Sequence, residues 1–218
     1  MVVKEFPPVD FADENGLLAV GGDLDPETLL LAYSSGVFLW PYKNSPLLWF
    51  APSKRAVLFF EQLHLPRSLK KYSKKNPYQI KMNTNFKEVI TQCSLSKTRK
   101  QKGTWILPAM IEPYTELFNR GYGFSVEVYE DEVLVGGLYG IKIGTIYMGE
   151  SMFYHKPNAS KLALLHLIEY LKSIGVTWLD CEVLNPLFEG FGARDIPRTE
   201  FMKMLEDGKM SEQMSGKT

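Results

Sequence analysis

Cysteine is scarce in this chain. The 218 residues hold two, Cys93 and Cys181, which make neither a disulfide framework nor a zinc pattern. A reducing compartment, the cytoplasm, is the simplest expectation. Long apolar runs are lacking as well: no stretch approaches the ~20 residues of a membrane helix. The opening "MVVKEFPPVDFADENG" has no charged start followed by an apolar stretch, so no secretion signal is visible. Net charge is also missing, since 25 Lys and Arg balance 25 Asp and Glu. With 45% hydrophobic and 23% charged residues, the composition is that of a globular protein. The length suits one large domain, or one domain with a small appendage.

The zero balance hides an asymmetry. Residues 64–102 carry eleven Lys or Arg and a single acid, Glu88. Such a segment suits a polyanion such as an RNA backbone, or is a solvated helix face and loop; charge alone leaves both open.

The first sixty residues are rich in Pro, Gly and aromatics. "GDLDPETLLLAYSSG" predicts a helix with Asp25 as N-cap, Pro26 in the first turn and Gly36 as the stop. "VFLWPY" and "LLWFAP" follow as short strands or turns. The expected division is a small N-terminal domain over 1–62, a main domain over 63–206 and a polar, disordered tail over 207–218.

Farther on, "LPRSLKKYSKKN" predicts a basic helix ended by Asn76 and Pro77. "TNFKEVITQCS" predicts a second, with Phe86, Val89, Ile90 and Cys93 on its apolar stripe. "SKTRKQKGT" reads as a basic loop, and "PAMIEPYTELFNRG" as a helix stopped by Gly121. "GFSVEVYE", "VLVGGLYGIKI" and "TIYMGESMF" predict an antiparallel meander. A long helix, "NASKLALLHLIEYLKSIG", then leads to the strand "VTWLDCEV" and a last helix near "RTEFMKMLE". This order is that of an α/β (α+β) acetyltransferase-like core, a mixed sheet flanked by helices. In that fold a glycine-rich turn before the long helix cradles the coenzyme A pyrophosphate. The turn here, "YHKPNAS", has no glycine, which argues against a coenzyme A donor.

Asp180 and Glu182 stand two apart in the strand-like "WLDCEVLN". In a regular strand both would point to one side, about 7 Å apart. Two carboxylates in a core strand are costly unless something uses them.

The stretches "NGLLAVGGDL", "LAYSSGVFLWP", "LHLPRSLKK", "GTWI", "VGGLYG", "GESMF", "NASKLALL", "DCEVLN" and "GARDIPRTEF" occur in that order from residue 15 to residue 201. In this the chain resembles the leucyl/phenylalanyl-tRNA–protein transferases. The resemblance implies an enzyme that takes Leu, Phe or sometimes Met from an aminoacyl-tRNA. It passes the amino acid to a protein beginning with Lys or Arg, which is thereby marked for degradation. It implies no metal and no organic cofactor. From the sequence itself no membrane partner is expected, and a monomer is the default.

Site residues follow from the resemblance position by position. Trp40 and Trp105 would hold the terminal adenosine by stacking, where core packing is the plain alternative. Arg67, Lys70, Lys71, Lys74 and Lys75 would grip acceptor-stem phosphates without reading sequence. Leu138, Tyr147, Met152, Leu164, Leu167, Leu171 and Leu179 would form the pocket for the donor side chain, or serve as ordinary core. Glu150 would help bind the aminoacyl end, or accept hydrogen bonds from the following helix. Asp180 would accept a hydrogen bond from the attacking α-amine and relay its proton, with Glu182 beside it. The chain departs from the family in several places. Glu182 replaces a glutamine, Leu187 a histidine, "VFLW" the usual "IFPW", and Leu167 and Leu171 bulkier residues. A binding module of the same fold, holding aminoacyl-tRNA or an N-terminal degron without transfer, is the competing reading.

Overall fold

The computed structural model describes residues 2–96 and 104–215, with side chains given through residue 210. Most of the expected basic loop, with Lys97, Arg99, Lys100 and Lys102, lies outside the described residues.

The N-terminal part builds a small antiparallel sheet. Its strands are β1 (Leu17–Val20), β2 (Phe38–Leu39) and β3 (Leu48–Phe50), in the order β1-β3-β2. Helix α1 (Pro26–Ser34) lies between β1 and β2 and starts as its sequence dictates. The Asp25 side chain accepts from the Glu27 N–H, Pro26 occupies the first turn, and Gly36 leaves the helix at φ 74°.

The remaining strands form one seven-stranded sheet. In chain order the elements are β4 (Lys54–Phe59), α2 (Arg67–Lys75), β5 (Gln79–Met82), α3 (Phe86–Leu95) and α4 (Ile111–Asn119). Then come β6 (Gly123–Glu130), β7 (Val133–Ile143), β8 (Ile146–Tyr154), α5 (Ala159–Ser173) and β9 (Trp178–Glu182). The chain continues with α6 (Pro186–Gly190), β10 (Arg194–Pro197) and α7 (Arg198–Ser215). The sheet order is β10-β4-β9-β8-β7-β6-β5. All neighbours are antiparallel except β8 and β9, which run parallel and pair only at Met148 and Asp180.

Two apolar clusters sandwich the sheet. On one face α1, α3, α4 and α7 contribute Tyr33, Phe86, Val89, Tyr114 and Phe201. On the other, α5 contributes Leu162, Leu164, Leu167, Ile168 and Leu171. The close seat of α5 on β7 depends on Gly136, where an added Cβ would stand 2.5 Å from the Ala159 Cβ.

Three features differ from the sequence expectation. Strand β4 falls inside the expected small domain of 1–62 yet pairs with β9 and β10 in the large sheet. Helix α7 runs on to Ser215 instead of giving way to a tail after residue 206, and Gly208 within it packs on Ile146 and Thr145. Strand β9 is not regular: Ala56 faces Glu182 while the next residue of β4, Val57, faces Asp180. The extra residue, Cys181, makes a bulge, and Glu182 takes the left-handed φ of 58°. Bulges of this kind re-aim a side chain.

Candidate active site

Four acids are buried among the described residues: Glu127, Glu150, Asp180 and Glu182. One of them is structural. Glu127 accepts from Thr84 Oγ1, from Ser125 Oγ and from the backbone N–H groups of Thr84 and Asn85, so it holds the start of α3.

The other three lie together where β8 and β9 part. Asp180 is fully buried and taken up by Arg55, itself only 2% exposed. Arg55 Nε donates to Oδ1 at 2.9 Å and Oδ2 at 3.1 Å, and Nη2 donates to Oδ2 at 2.7 Å. The Glu182 N–H donates to Oδ1 at 2.8 Å. The guanidinium lies between the rings of Phe38 and Phe201, 4.6 Å from each centroid. Asp180 therefore bolts the bulge down, with its acceptor positions filled from inside the protein.

Glu150 is held differently. Tyr33 Oη donates to its Oε1 at 2.6 Å, and the Tyr114 hydroxyl lies 2.7 Å from that of Tyr33. Since Tyr33 gives its proton to Glu150, Tyr114 is the donor of the second bond. Burial pushes the Glu150 carboxyl up to about 7, with hydrogen bonds from Tyr33 and Glu182 pulling against it. Glu182 stands well above the usual carboxylate range, first through burial and then through the charge of Glu150. Burial likewise lifts Tyr33, Tyr114 and Tyr139 well above the ordinary phenol range, so all three are neutral donors at physiological pH.

An apolar cavity of about 180 Å3 opens beside this cluster. It is lined by Leu138 and Tyr139 of β7, residues 149–152 of β8, Leu164 and Leu167 of α5, and Leu179 of β9. Asn185, Leu187 and Phe188 close its rim. Asn185 fixes this rim by capping α6, accepting from the Leu187 and Phe188 N–H groups. A cavity of about 150 Å3 holds a benzene ring, so this one has room for a side chain the size of Leu or Phe.

The expected pocket residues divide. Leu138, Glu150, Met152, Leu164, Leu167 and Leu179 line the cavity. Leu171 and Tyr147 do not: Leu171 is fully buried under the sheet, and Tyr147 packs against Phe124 with centroids 5.2 Å apart. Both belong to the same apolar cluster as Leu138, Leu164, Leu167 and Leu179, but do not line the cavity.

Trp40 and Trp105 meet at 5.7 Å between ring centroids and 26° between planes. They line a separate groove of about 810 Å3 with Tyr42, Lys43 and Pro108. Because the two rings stack on each other, a base would stack on an outer face rather than between them. A third hollow, bordered by Ser96, Met152, Lys161 and Leu187, shares Met152 and Leu187 with the cavity. Ser94 borders the tryptophan groove, so the end of α3 stands between the groove and that hollow. Arg67, Lys70, Lys71, Lys74 and Lys75 are all exposed on α2.

Sequence reasoning passed over Arg55, Tyr33, Tyr114 and Tyr139. The arginine had only a faint signal, standing beside Lys54 at the head of the apolar run "AVLFF". The tyrosines are indistinguishable by spacing from ordinary core aromatics. Among the described residues no cluster of His, Cys, Asp or Glu suits a metal ion, and no helix is long and apolar enough to cross a membrane.

A family model described as Leucyl/phenylalanyl-tRNA protein transferase matches residues 57–206, and one for that family's N-terminal domain matches residues 22–53. Among curated proteins, the leucyl/phenylalanyl-tRNA–protein transferase of Flavobacterium johnsoniae is 52% identical over 201 residues, covering 92% of this chain and 95% of its own. Those of Nitrosomonas eutropha and Colwellia psychrerythraea are each 46% identical, covering 95% and 90% of this chain and 88% and 84% of theirs.

Proposed function

The chain belongs to the leucyl/phenylalanyl-tRNA–protein transferase family, and from that premise we propose how its residues move an amino acid from tRNA to a protein. The reaction is aminoacyl transfer. The acceptor's α-amine attacks the ester carbonyl, a C–N bond forms, and the bond from carbon to the tRNA's terminal ribose oxygen breaks. The amine loses a proton and the leaving oxygen gains one. Aminolysis of an ester runs downhill, so the protein has to align the two substrates and handle protons.

The observation that carries this reading is the apolar cavity beside three buried acids at the parting of β8 and β9. Leucine or phenylalanine fills the cavity, with methionine as a further donor, and its carbonyl lies toward Glu150. A methylene more or less in such a pocket changes preference by only ~1–3 kcal/mol, which suits a site accepting several apolar residues. The acceptors are proteins with N-terminal Lys or Arg, whose positive charge suits a rim near the acids. Trp40 and Trp105 take the terminal adenosine. The exposed cations of α2 meet the acceptor-stem phosphates. The protein works in the cytoplasm as a monomer, and its products are marked for degradation.

Purified protein mixed with Leu- or Phe-charged tRNA and a Lys- or Arg-initiated peptide extends the peptide by one residue, read by mass spectrometry. Tight binding of charged tRNA with no extension at any pH would favour the binding-module reading instead.

Two variants probe the tRNA side of the site. Trp105→Ala raises the KM for charged tRNA by roughly 5- to 150-fold, the equivalent of ~1–3 kcal/mol of stacking; an unchanged KM would assign Trp105 to packing alone. Replacing Lys70, Lys71, Lys74 and Lys75 with Gln weakens tRNA binding and flattens its salt dependence. The log–log slope falls by up to about 0.9 for each duplex phosphate that is no longer neutralised. A filter-binding series in salt measures that slope, and a slope equal to wild type would remove α2 from the interface.

A further inference from the structure

Four buried side-chain polar atoms have no hydrogen-bond partner among the described residues: Tyr139 Oη, Glu150 Oε2, Glu182 Oε1 and Arg198 Nε. Arg198 is held elsewhere, donating to the Ala51 carbonyl and Asp10. The other three belong to the acid cluster and its cavity. The parallel pair Met148 and Asp180 puts Glu150 and Glu182 each two residues farther along neighbouring strands. The bulge at Cys181 and the left-handed backbone of Glu182 take its side chain off the course of a regular strand. The two carboxyl groups meet in a hydrogen-bonding contact.

Two ionised carboxylates cannot make that contact, because each only accepts. The buried cation of the cluster, Arg55, is spent on Asp180. The groups facing the pair from the packed elements are Arg55 on β4, Asp180 on β9, Tyr33 on α1, Tyr114 on α4 and Tyr139 on β7. The tyrosines are neutral donors, so a proton is the remaining way to join two acids.

We propose that Glu150 and Glu182 act as one unit holding a single proton, in which neutral Glu182 donates to ionised Glu150, and that this unit, not Asp180, takes the proton from the attacking amine. This rests on the transferase reading and assigns its proton path. Glu150 already accepts from Tyr33, which favours its ionised form and leaves the proton on Glu182. As the amine nitrogen bonds to the ester carbon, its surplus proton passes to the Glu150 carboxylate. The pair then holds two protons and no charge. One proton goes to the departing ribose oxygen as the C–O electron pair leaves with it, and the pair returns to one proton. Neutral Glu182 supplies a donor toward Glu150, as an amide would at that place. Asp180 and Arg55 are positioning residues that hold the bulge from which Glu182 reaches its partner.

The test joins a substrate-free readout to a kinetic one. Infrared spectra with 13C-labelled glutamate at pH 8 show one protonated-carboxyl band in the wild type, and that band is lost in Glu182→Gln. In transfer assays the wild-type rate changes on the alkaline side as the shared proton leaves, and Glu182→Gln, whose amide has no proton to lose there, flattens that limb of the pH profile. Glu150→Gln loses roughly 10²- to 10⁴-fold, the span of general acid–base catalysis, while still binding charged tRNA, which shows that it is folded. A wild type without the band, or a Glu150→Gln protein that transfers like wild type, overturns the proposal while leaving the transferase reading intact. Absence of transfer by the wild type overturns the transferase reading, and the proton path with it.

Discussion

Arg55→Met lowers the stability of the fold by about 3–5 kcal/mol, the usual cost of removing one partner from a buried ion pair. Methionine keeps the apolar reach of the side chain between Phe38 and Phe201. It leaves the fully buried Asp180 carboxylate without its cation. At ~2–4 °C per kcal/mol for a chain of this size, the midpoint falls by roughly 6–20 °C. Arg55→Lys does not restore it, since an ammonium matches neither the forked contact with Asp180 nor the two ring faces. The double variant Arg55→Met, Asp180→Leu recovers most of the loss, because an apolar pair can replace a buried ionic one with little cost. Urea unfolding of wild type, Arg55→Met, Asp180→Leu and the double variant measures the cycle. A single-variant loss below ~1 kcal/mol would mean that the clamp does not hold the sheet together.

The second large effect is on the pH dependence of stability. Glu150 has a folded pKa of about 7 against 4.5 for an ordinary glutamate, so the folded state binds this proton more tightly than the unfolded chain. Its stabilising contribution is fully present below about pH 4.5 and is lost as pH rises through 7. Between pH 5 and pH 8 the loss is about 2.5 kcal/mol. Glu150→Gln does not titrate, and Tyr33 still finds a carbonyl oxygen there. Relative to wild type, the variant therefore gains about that much between pH 5 and pH 8. Glu182 shifts in the same direction and extends the decline above pH 7. Unfolding curves for both proteins across this range decide it, and parallel curves would show that Glu150 is ionised throughout.

How far the sequence foretold this arrangement depends on the range of the forces involved. Helix α3 was legible residue by residue: Phe86, Val89, Ile90 and Cys93, its expected stripe, are the residues it buries. The cap of α1 and the meander β6-β7-β8 were equally plain, because each rests on local turn chemistry or on alternation. Strand β4 was missed for the opposite reason. It lies inside the sheet with both neighbours paired, so it reads as two charges, Lys54 and Arg55, followed by an apolar run, with no alternation to detect. Strands β1, β5 and β10 are four residues each, too short to show a period. In the site, the oddity of Asp180 and Glu182 could be seen from their surroundings alone. Their different fates could not. One acid meets Arg55, 125 residues away in sequence, and the other meets Glu150 across a parallel pairing that spacing does not reveal.

The place of β4 also bears on how the chain is made. A ribosome delivers the chain from its N-terminus, and β4 is complete at Phe59. Its partner β9 begins only at Trp178, and β10 at Arg194. At about 5–20 residues per second, β4 waits roughly 6–24 s for the strand that covers one edge, and slightly longer for the other. Throughout that interval Ala56, Val57 and Leu58, all fully buried in the finished protein, have no strand beside them. The small sheet in front of β4 and the meander behind it pair within themselves and need no such delay. The β10-β4-β9 side of the sheet therefore closes last, and with it the Arg55 clamp, so the site comes into being only once nearly the whole chain has been synthesised.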